Sequence, residues 1–211
     1  MTLTDQSQTS VPNRLRASVF LPAVGMIAAT ASQIDATIIT GTYRAESPAP
    51  PDSLNFPWYG QLAGPISTWW SFSGLFLALG FVVFARSATL RDHRVGRVGA
   101  WLAVAGAGIV VIANFLSAAN ADALADQGIG RVIVAMFTTA TALLALGLSI
   151  AGVAILRSGT WRGVWRVIPL VNGVWSFLMV PLLMIDQVQV AVGVMAALQV
   201  ALGAALIAEE A

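Results

Sequence analysis

The sequence predicts an all-α integral membrane protein. The expected architecture is a six-transmembrane-helix bundle with both termini cytoplasmic and one long Pro- and aromatic-rich outer loop between helices 1 and 2. Three observations predict it. The 211 residues are 57% hydrophobic and only 10% charged, with a mean hydropathy of +0.80. An ordinary soluble domain carries roughly 25% charged residues, and a core of this size could not hide so much apolar surface from water. Six stretches are apolar for about 20 residues, the length needed to cross a ~30 Å hydrocarbon layer at 1.5 Å per residue. The arginines also segregate between alternate loops.

The six spans are expected at 17–38, 66–85, 99–119, 132–156, 167–185 and 188–208. The first resembles a signal peptide, with a basic lead, an apolar run and Ala29-Thr30-Ala31 as a cleavage-like site. Its apolar run continues to Ile39, which is long enough to span, so a retained helix is expected. Residues 1–13 are rich in Ser, Thr and Gln and read as a flexible cytoplasmic tail, leaving 14–211 as one transmembrane domain. The loop at 40–64 contains Pro48, Pro50, Pro51 and Pro57, which disfavour helix, and Phe56, Trp58 and Tyr59, which can fold back on the helix ends. The fourth span is long and expected to tilt. Pro169 and Pro181 fall in the fifth span, where each removes a backbone donor. Only Asp186 and Gln187 separate the last two spans, so they could form two helices or one bent hairpin.

Sidedness follows from charge. With six spans, Arg14, Arg16, Arg86, Arg91, Arg94, Arg97, Arg157, Arg162 and Arg166 share one side, and only Arg44 and Arg131 lie on the other. Positive charge accumulates in cytoplasmic loops, so both ends are expected inside. Glu46, Asp52, Asp122, Asp126 and Asp186 collect outside. Arg131 is expected to pair with Asp126 or Asp122. Trp161 and Trp165, beside Arg162 and Arg166, read as an interfacial anchor.

Lipid tails are as apolar as leucine, so helix pairing must use small residues that let backbones approach. Gly193, Ala197, Ala201 and Ala205 recur at four-residue spacing; the third span offers Gly99, Ala103, Gly106, Ala107 and Gly108, and the first offers Gly25, Ala28, Ala29 and Ser32. These read as packing within the chain.

Several chemistries are excluded. Cysteine is absent, all 11 basic residues are arginine, and His93 is the single histidine. There is therefore no thiolate, Schiff-base lysine, P-loop lysine or bis-His haem within the chain, and no cofactor or metal site is expected. A net charge of +1 gives no field for nucleic acid. No nucleophile-elbow or zincin motif occurs.

Polar residues within the spans are the remaining candidates. Asp35 lies about one turn from the outer end of the first span, where a partly desolvated carboxyl could act as a general acid or hold a cation. Its bland alternative is a solvated interfacial carboxylate paired with Arg44 or Arg131. Asn114, Thr138, Thr139, Asp186, Gln187 and Gln189 fall at similar depth, with Trp69 and Trp70 starting the second span on that side. Trp175 and Gln199 lie deeper, and Asn172 nearer the inner face. Facing inward, Trp69, Trp70, Asn114, Thr138, Trp175, Asp186 and Gln189 would frame an outward-opening ligand pocket with Asp35 at its rim.

The even span count gives two three-helix halves of opposite orientation, an arrangement common in transporters, but the halves show no residue-level match. The layout resembles a broad group of six-helix bacterial membrane proteins. Its Arg-only, Ala/Gly/Val-rich usage is similar to that of high-GC actinobacteria, which implies a multi-pass protein of the bacterial cytoplasmic membrane. The segment Asn172-Gly173-Val174-Trp175 resembles an Asn-x-x-Trp stretch of integral membrane terpene cyclases. That family carries Glu after the Trp and seven spans, against Ser176 and six here, so four residues assign no family.

Three functions are thus expected in competition. The first is a non-catalytic protein binding membrane lipid, another hydrophobic small molecule or a membrane-protein partner, for example as an accessory subunit. The second is an intramembrane cyclase or isomerase acting on a terpenoid or lipid, with Asp35 as acid and Trp70 and Trp175 facing cationic intermediates. In that case Asp35→Asn would abolish turnover. The third is a small proton-coupled transporter.

Overall fold

A computed structural model gives the three-dimensional structure. It describes residues 13–43, 53–54, 63–120, 122–184 and 187–210, with side chains described except at 13–17, 35–37, 39–43, 63–64, 66–67, 184, 188 and 210. Seven α-helices account for nearly all of this: α1 (Asn13–Tyr43), α2 (Ala63–Ala85), α3 (Ala88–Arg91), α4 (Arg94–Ala119), α5 (Gly128–Ser158), α6 (Ile168–Met184) and α7 (Val188–Glu210). A 3-10 turn, Gly163–Val167, precedes α6. Among the described residues there is no strand beyond one isolated bridge between Ser53 and Leu124.

Among the described residues, five helices are long and apolar enough to cross a membrane: α2, α4, α5, α6 with its 3-10 lead, and α7. In α1 the apolar stretch Ser18–Ile34 is shorter. The outward faces are apolar as well. Phe72, Leu75, Phe76 and Leu79 on α2 are exposed, as are Val174, Phe177 and Leu178 on α6. So much contiguous exposed hydrocarbon suits lipid rather than water. The chain is therefore a multi-pass membrane helical bundle.

The six long helices pack in a closed ring. α1 touches α2, α2 touches α4, α4 touches α5, α5 touches α6, α6 touches α7, and α7 returns to α1. The α4–α5 seam is the most extensive. Its cause is the small-residue spacing in α4. A Cβ on Gly99 would lie 2.7 Å from the Gly147 carbonyl oxygen, and one on Gly147 would lie 2.5 Å from that of Gly99. Gly106 meets the Ala140 carbonyl in the same way, at 2.8 Å. Gly108 looks onto open space and takes no part. The four-residue repeat of α7 changes environment along its length: Ala197 is exposed, whereas Ala205 is buried.

The two ends of the ring are chemically distinct. At the arginine end, the edge of Phe84 meets Trp161 at a centroid distance of 6.0 Å, and the Arg162 amide donates to Glu209 Oε1 at 3.2 Å. Trp161 is only 2% exposed, so it is a core residue rather than the expected interfacial anchor. The aromatic ring of Phe84 and the turn before α6 enclose an apolar site that hydropathy along the chain does not register. α5 stops here because Gly159 adopts φ 63°, a left-handed conformation that caps the helix with its amide on the Ile155 carbonyl.

At the opposite end, the Leu54 amide donates to the Ala123 carbonyl at 3.0 Å. The loop after α1 is thereby tied to the α4–α5 turn. The Arg131 guanidinium donates to the Asp126 main-chain carbonyl at 2.7 and 3.2 Å, not to a carboxylate as the sequence suggested. The last two spans are separate helices. α6 ends at Met184 and packs on α7, and the Trp175 indole donates to the Ala191 carbonyl at 3.0 Å across that pair. Pro169 falls in the first turn of α6, where its missing N–H costs no helical bond, while Pro181 is inside the helix.

Candidate functional site

A ring of six helices leaves a space on its axis, and the residues facing that space are the candidate site. The cavity encloses about 190 Å³ and takes side chains from all six long helices. Gln33 comes from α1, Trp70 and Leu77 from α2, and Val110 and Asn114 from α4. Phe137, Thr141 and Leu144 come from α5, Met179 from α6, and Val192, Met195, Ala196 and Gln199 from α7. Counted along the helices at 1.5 Å per residue, its lining runs from about 6 Å (Val192) to about 24 Å (Leu144) below the end opposite the arginines.

Most of the wall is apolar, and its polar groups are neutral. The Trp70 indole nitrogen is buried and has no hydrogen-bond partner. Asn114 and Gln199 make no side-chain hydrogen bond to protein among the described residues, although Gln199 is only 4% exposed. Thr141 donates to the Phe137 carbonyl at 2.9 Å, leaving its oxygen free to accept. Gln33 is held by its neighbour, donating to Ser73 Oγ at 3.1 Å, and Ser73 in turn donates to the Trp70 carbonyl at 2.9 Å. That chain of contacts fixes the α1–α2 edge of the cavity beside Trp70.

An unpaired buried donor or acceptor costs about 1–3 kcal/mol, and no lipid can relieve it. On the described cavity wall the buried atom without a partner is the Trp70 indole nitrogen, and a polar guest could satisfy it together with the Asn114 and Gln199 amides. Among the described lining residues none is a carboxylate, imidazole or guanidinium. This wall can bind by hydrogen bonds and dispersion, and its three unpaired groups together supply five N–H donors and two carbonyl acceptors.

The residues singled out from sequence are distributed as follows. Trp70 and Asn114 stand on the cavity wall. Trp69, their neighbour in sequence, is 54% exposed on the outside and donates to Ser32 Oγ at 3.2 Å. Thr138 and Thr139 are exposed and bond back to the Val134 and Ala135 carbonyls. Trp175 is half-buried between α6 and α7, and Gln189 is half-buried at the start of α7. Asp35 lies in α1 with its side chain outside the described residues, and Asp186 lies outside the described residues altogether.

Gln33 and Thr141 were not among the sequence candidates, yet they complete the wall. The signal for Thr141 was its position one turn inward from Thr138, which only a known helix orientation turns into a contact. Gln199, read from sequence as a mid-membrane polar residue, sits on the wall opposite. Asn172 does not reach it. Fully buried, it donates from Nδ2 to the Leu198 carbonyl at 2.8 Å and pins α6 to α7. Compared with known proteins, the chain matches no family model, no curated protein and no solved structure.

Proposed function

We propose that the chain is a six-span protein of the bacterial cytoplasmic membrane, both termini inside, whose interior cavity binds a lipophilic ligand with a neutral, hydrogen-bonding head. A carbonyl or hydroxyl on a hydrocarbon skeleton has the right chemistry. The carrying observation is the convergence of Trp70, Asn114 and Gln199 on one cavity with their polar groups unpaired. A volume of about 190 Å³ is smaller than the ~300–1,000 Å³ of drug-sized sites. It suits a head group and its first few carbons, with any tail leaving between helices into the bilayer. A protein of this kind acts as a carrier, a sensor or a ligand-holding subunit of a larger membrane complex.

The test is extraction and mass analysis of lipids that co-purify with the chain. The wild-type protein is expected to carry a neutral lipid enriched over the bulk membrane. The double variant Asn114→Leu, Gln199→Leu fills the polar corners with hydrocarbon and should lose it at least about ten-fold, since two hydrogen bonds at about 1 kcal/mol each are removed. Identical lipid profiles for the two proteins would mean that the cavity holds water only, for which it has room for about six molecules at ~30 Å³ each.

The proposed topology has a separate check. The chain contains no cysteine, so single cysteines report sidedness without background. Gln127→Cys is expected to react with a membrane-impermeant maleimide in intact cells, and Ser158→Cys only after permeabilisation. The reverse pattern would invert the topology.

A further inference from the structure

At the arginine end, where α2 turns through α3 into α4, two adjoining hollows of about 400 and 340 Å³ share Arg86, Ser87 and Arg91. The first is floored by Val19 of α1 and by Val82 and Val83 of α2. The second is closed by Arg97 and Trp101 of α4. We propose that this corner binds the phosphate headgroup of an anionic phospholipid, independently of the interior cavity.

Three features point to that ligand. Arg86, Arg91 and Arg97 are exposed, and among the described residues none makes an ion pair or a side-chain hydrogen bond to protein. Three guanidinium groups around one hollow repel each other unless an anion sits between them, and guanidinium matches phosphate in bidentate geometry. Ser87 is only 5% exposed and its Oγ has no partner. It stands at the N-cap position of α3 yet makes no side-chain cap, so the hydroxyl has a hydrogen to donate on the wall of both hollows. Trp101 is 42% exposed, as suits an indole at headgroup depth, and the valine floor continues the hollow along the α1–α2 seam as a track for an acyl chain.

A cationic mouth over an apolar floor fits an amphiphile, whereas a soluble phosphate would use only the mouth. Basic pockets between helices on the arginine-rich side are a recurring way of holding acidic headgroups. Asp92, the one carboxylate in the α3–α4 turn, lines neither hollow.

The test is native mass spectrometry of the purified chain titrated with phosphatidylglycerol or phosphatidylcholine. Wild-type protein is expected to retain one phosphatidylglycerol in preference to phosphatidylcholine. The triple variant Arg86→Gln, Arg91→Gln, Arg97→Gln should lose on the order of ten-fold or more in that affinity, since it removes the charge-assisted hydrogen bonds to the phosphate. The control triple Arg157→Gln, Arg162→Gln, Arg166→Gln removes equal charge from the same end and should retain it. Ser87→Ala, which alters no charge, should weaken it by a smaller factor. Equal losses in both triples would reduce the effect to diffuse surface charge and overturn the site. Displacement of the lipid by millimolar inorganic phosphate would assign the corner to a soluble anion instead, and no preference between the two lipids would also sink the proposal. Helical circular dichroism of each variant checks that these exposed substitutions leave the fold in place.

Discussion

Gly147→Val is expected to prevent α4 and α5 from closing, and to give protein that unfolds well below the wild type or aggregates on extraction. The Cβ would fall 2.5 Å from the Gly99 carbonyl oxygen and 2.6 Å from the Ala103 amide nitrogen. Both are backbone atoms on a regular helix, so no rotamer change relieves the clash and the helices must separate. Overpacking typically costs about 1–3 kcal/mol, and a backbone collision belongs at or above the upper end. Within a bilayer the loss is not recovered by hydrophobic pressure, because separated helices simply contact lipid. Gly108→Ala is the matched control. It lies on α4, the other helix of the seam, but faces open space, so it should be neutral or slightly stabilising. Thermal unfolding followed by circular dichroism in one detergent compares the two. Equal midpoints would show that the seam is looser than the Gly99–Gly147 approach implies.

Trp161→Ala is expected to cost about 3–5 kcal/mol, the range for deleting a buried aromatic side chain. Trp161 is 2% exposed, packs edge-on against Phe84, and lies in the same core cluster as Leu206 of α7. It closes the arginine end of the ring where the chain crosses from α5 to α6. Trp165→Ala, at a half-buried position four residues on, should cost much less. Denaturant unfolding monitored by near-UV circular dichroism distinguishes the two. Comparable losses would mean that Trp161 serves as an interfacial anchor after all. The Arg162–Glu209 contact beside it should contribute little, because exposed polar contacts are worth a few tenths of a kcal/mol.

Neither substitution lines the interior cavity, so each separates stability from ligand retention. A protein weakened by Trp161→Ala but still folded should keep its lipid complement. The Asn114→Leu, Gln199→Leu protein should keep its fold and lose the ligand.

Much of the architecture was legible along the chain because membrane insertion is a local property. About 20 apolar residues in succession are enough to specify a spanning helix, and the arginine clusters mark the loops of one end whatever the helices do next. The third span shows the same legibility in packing, since Gly99, Ala103 and Gly106 are spaced for a close approach that α5 then makes. Helix ends were less legible. α1 runs to Tyr43 and α4 begins at Arg94, several residues beyond the apolar stretches, because polar helical turns extend past the hydrocarbon without a hydropathy signal.

The tertiary structure alone decided which side of each helix faces inward. Trp69 and Trp70 are neighbours separated by about 100° around α2; one lies outside, and the other lines the cavity. Thr138 and Thr141 divide in the same way on α5. In a soluble helix the polar stripe would have settled such choices beforehand. In a bilayer the lipid-facing and protein-facing sides are both apolar, so the sequence determined that these helices exist and where they lie, and only the closing of the ring selected the residues that meet at its centre.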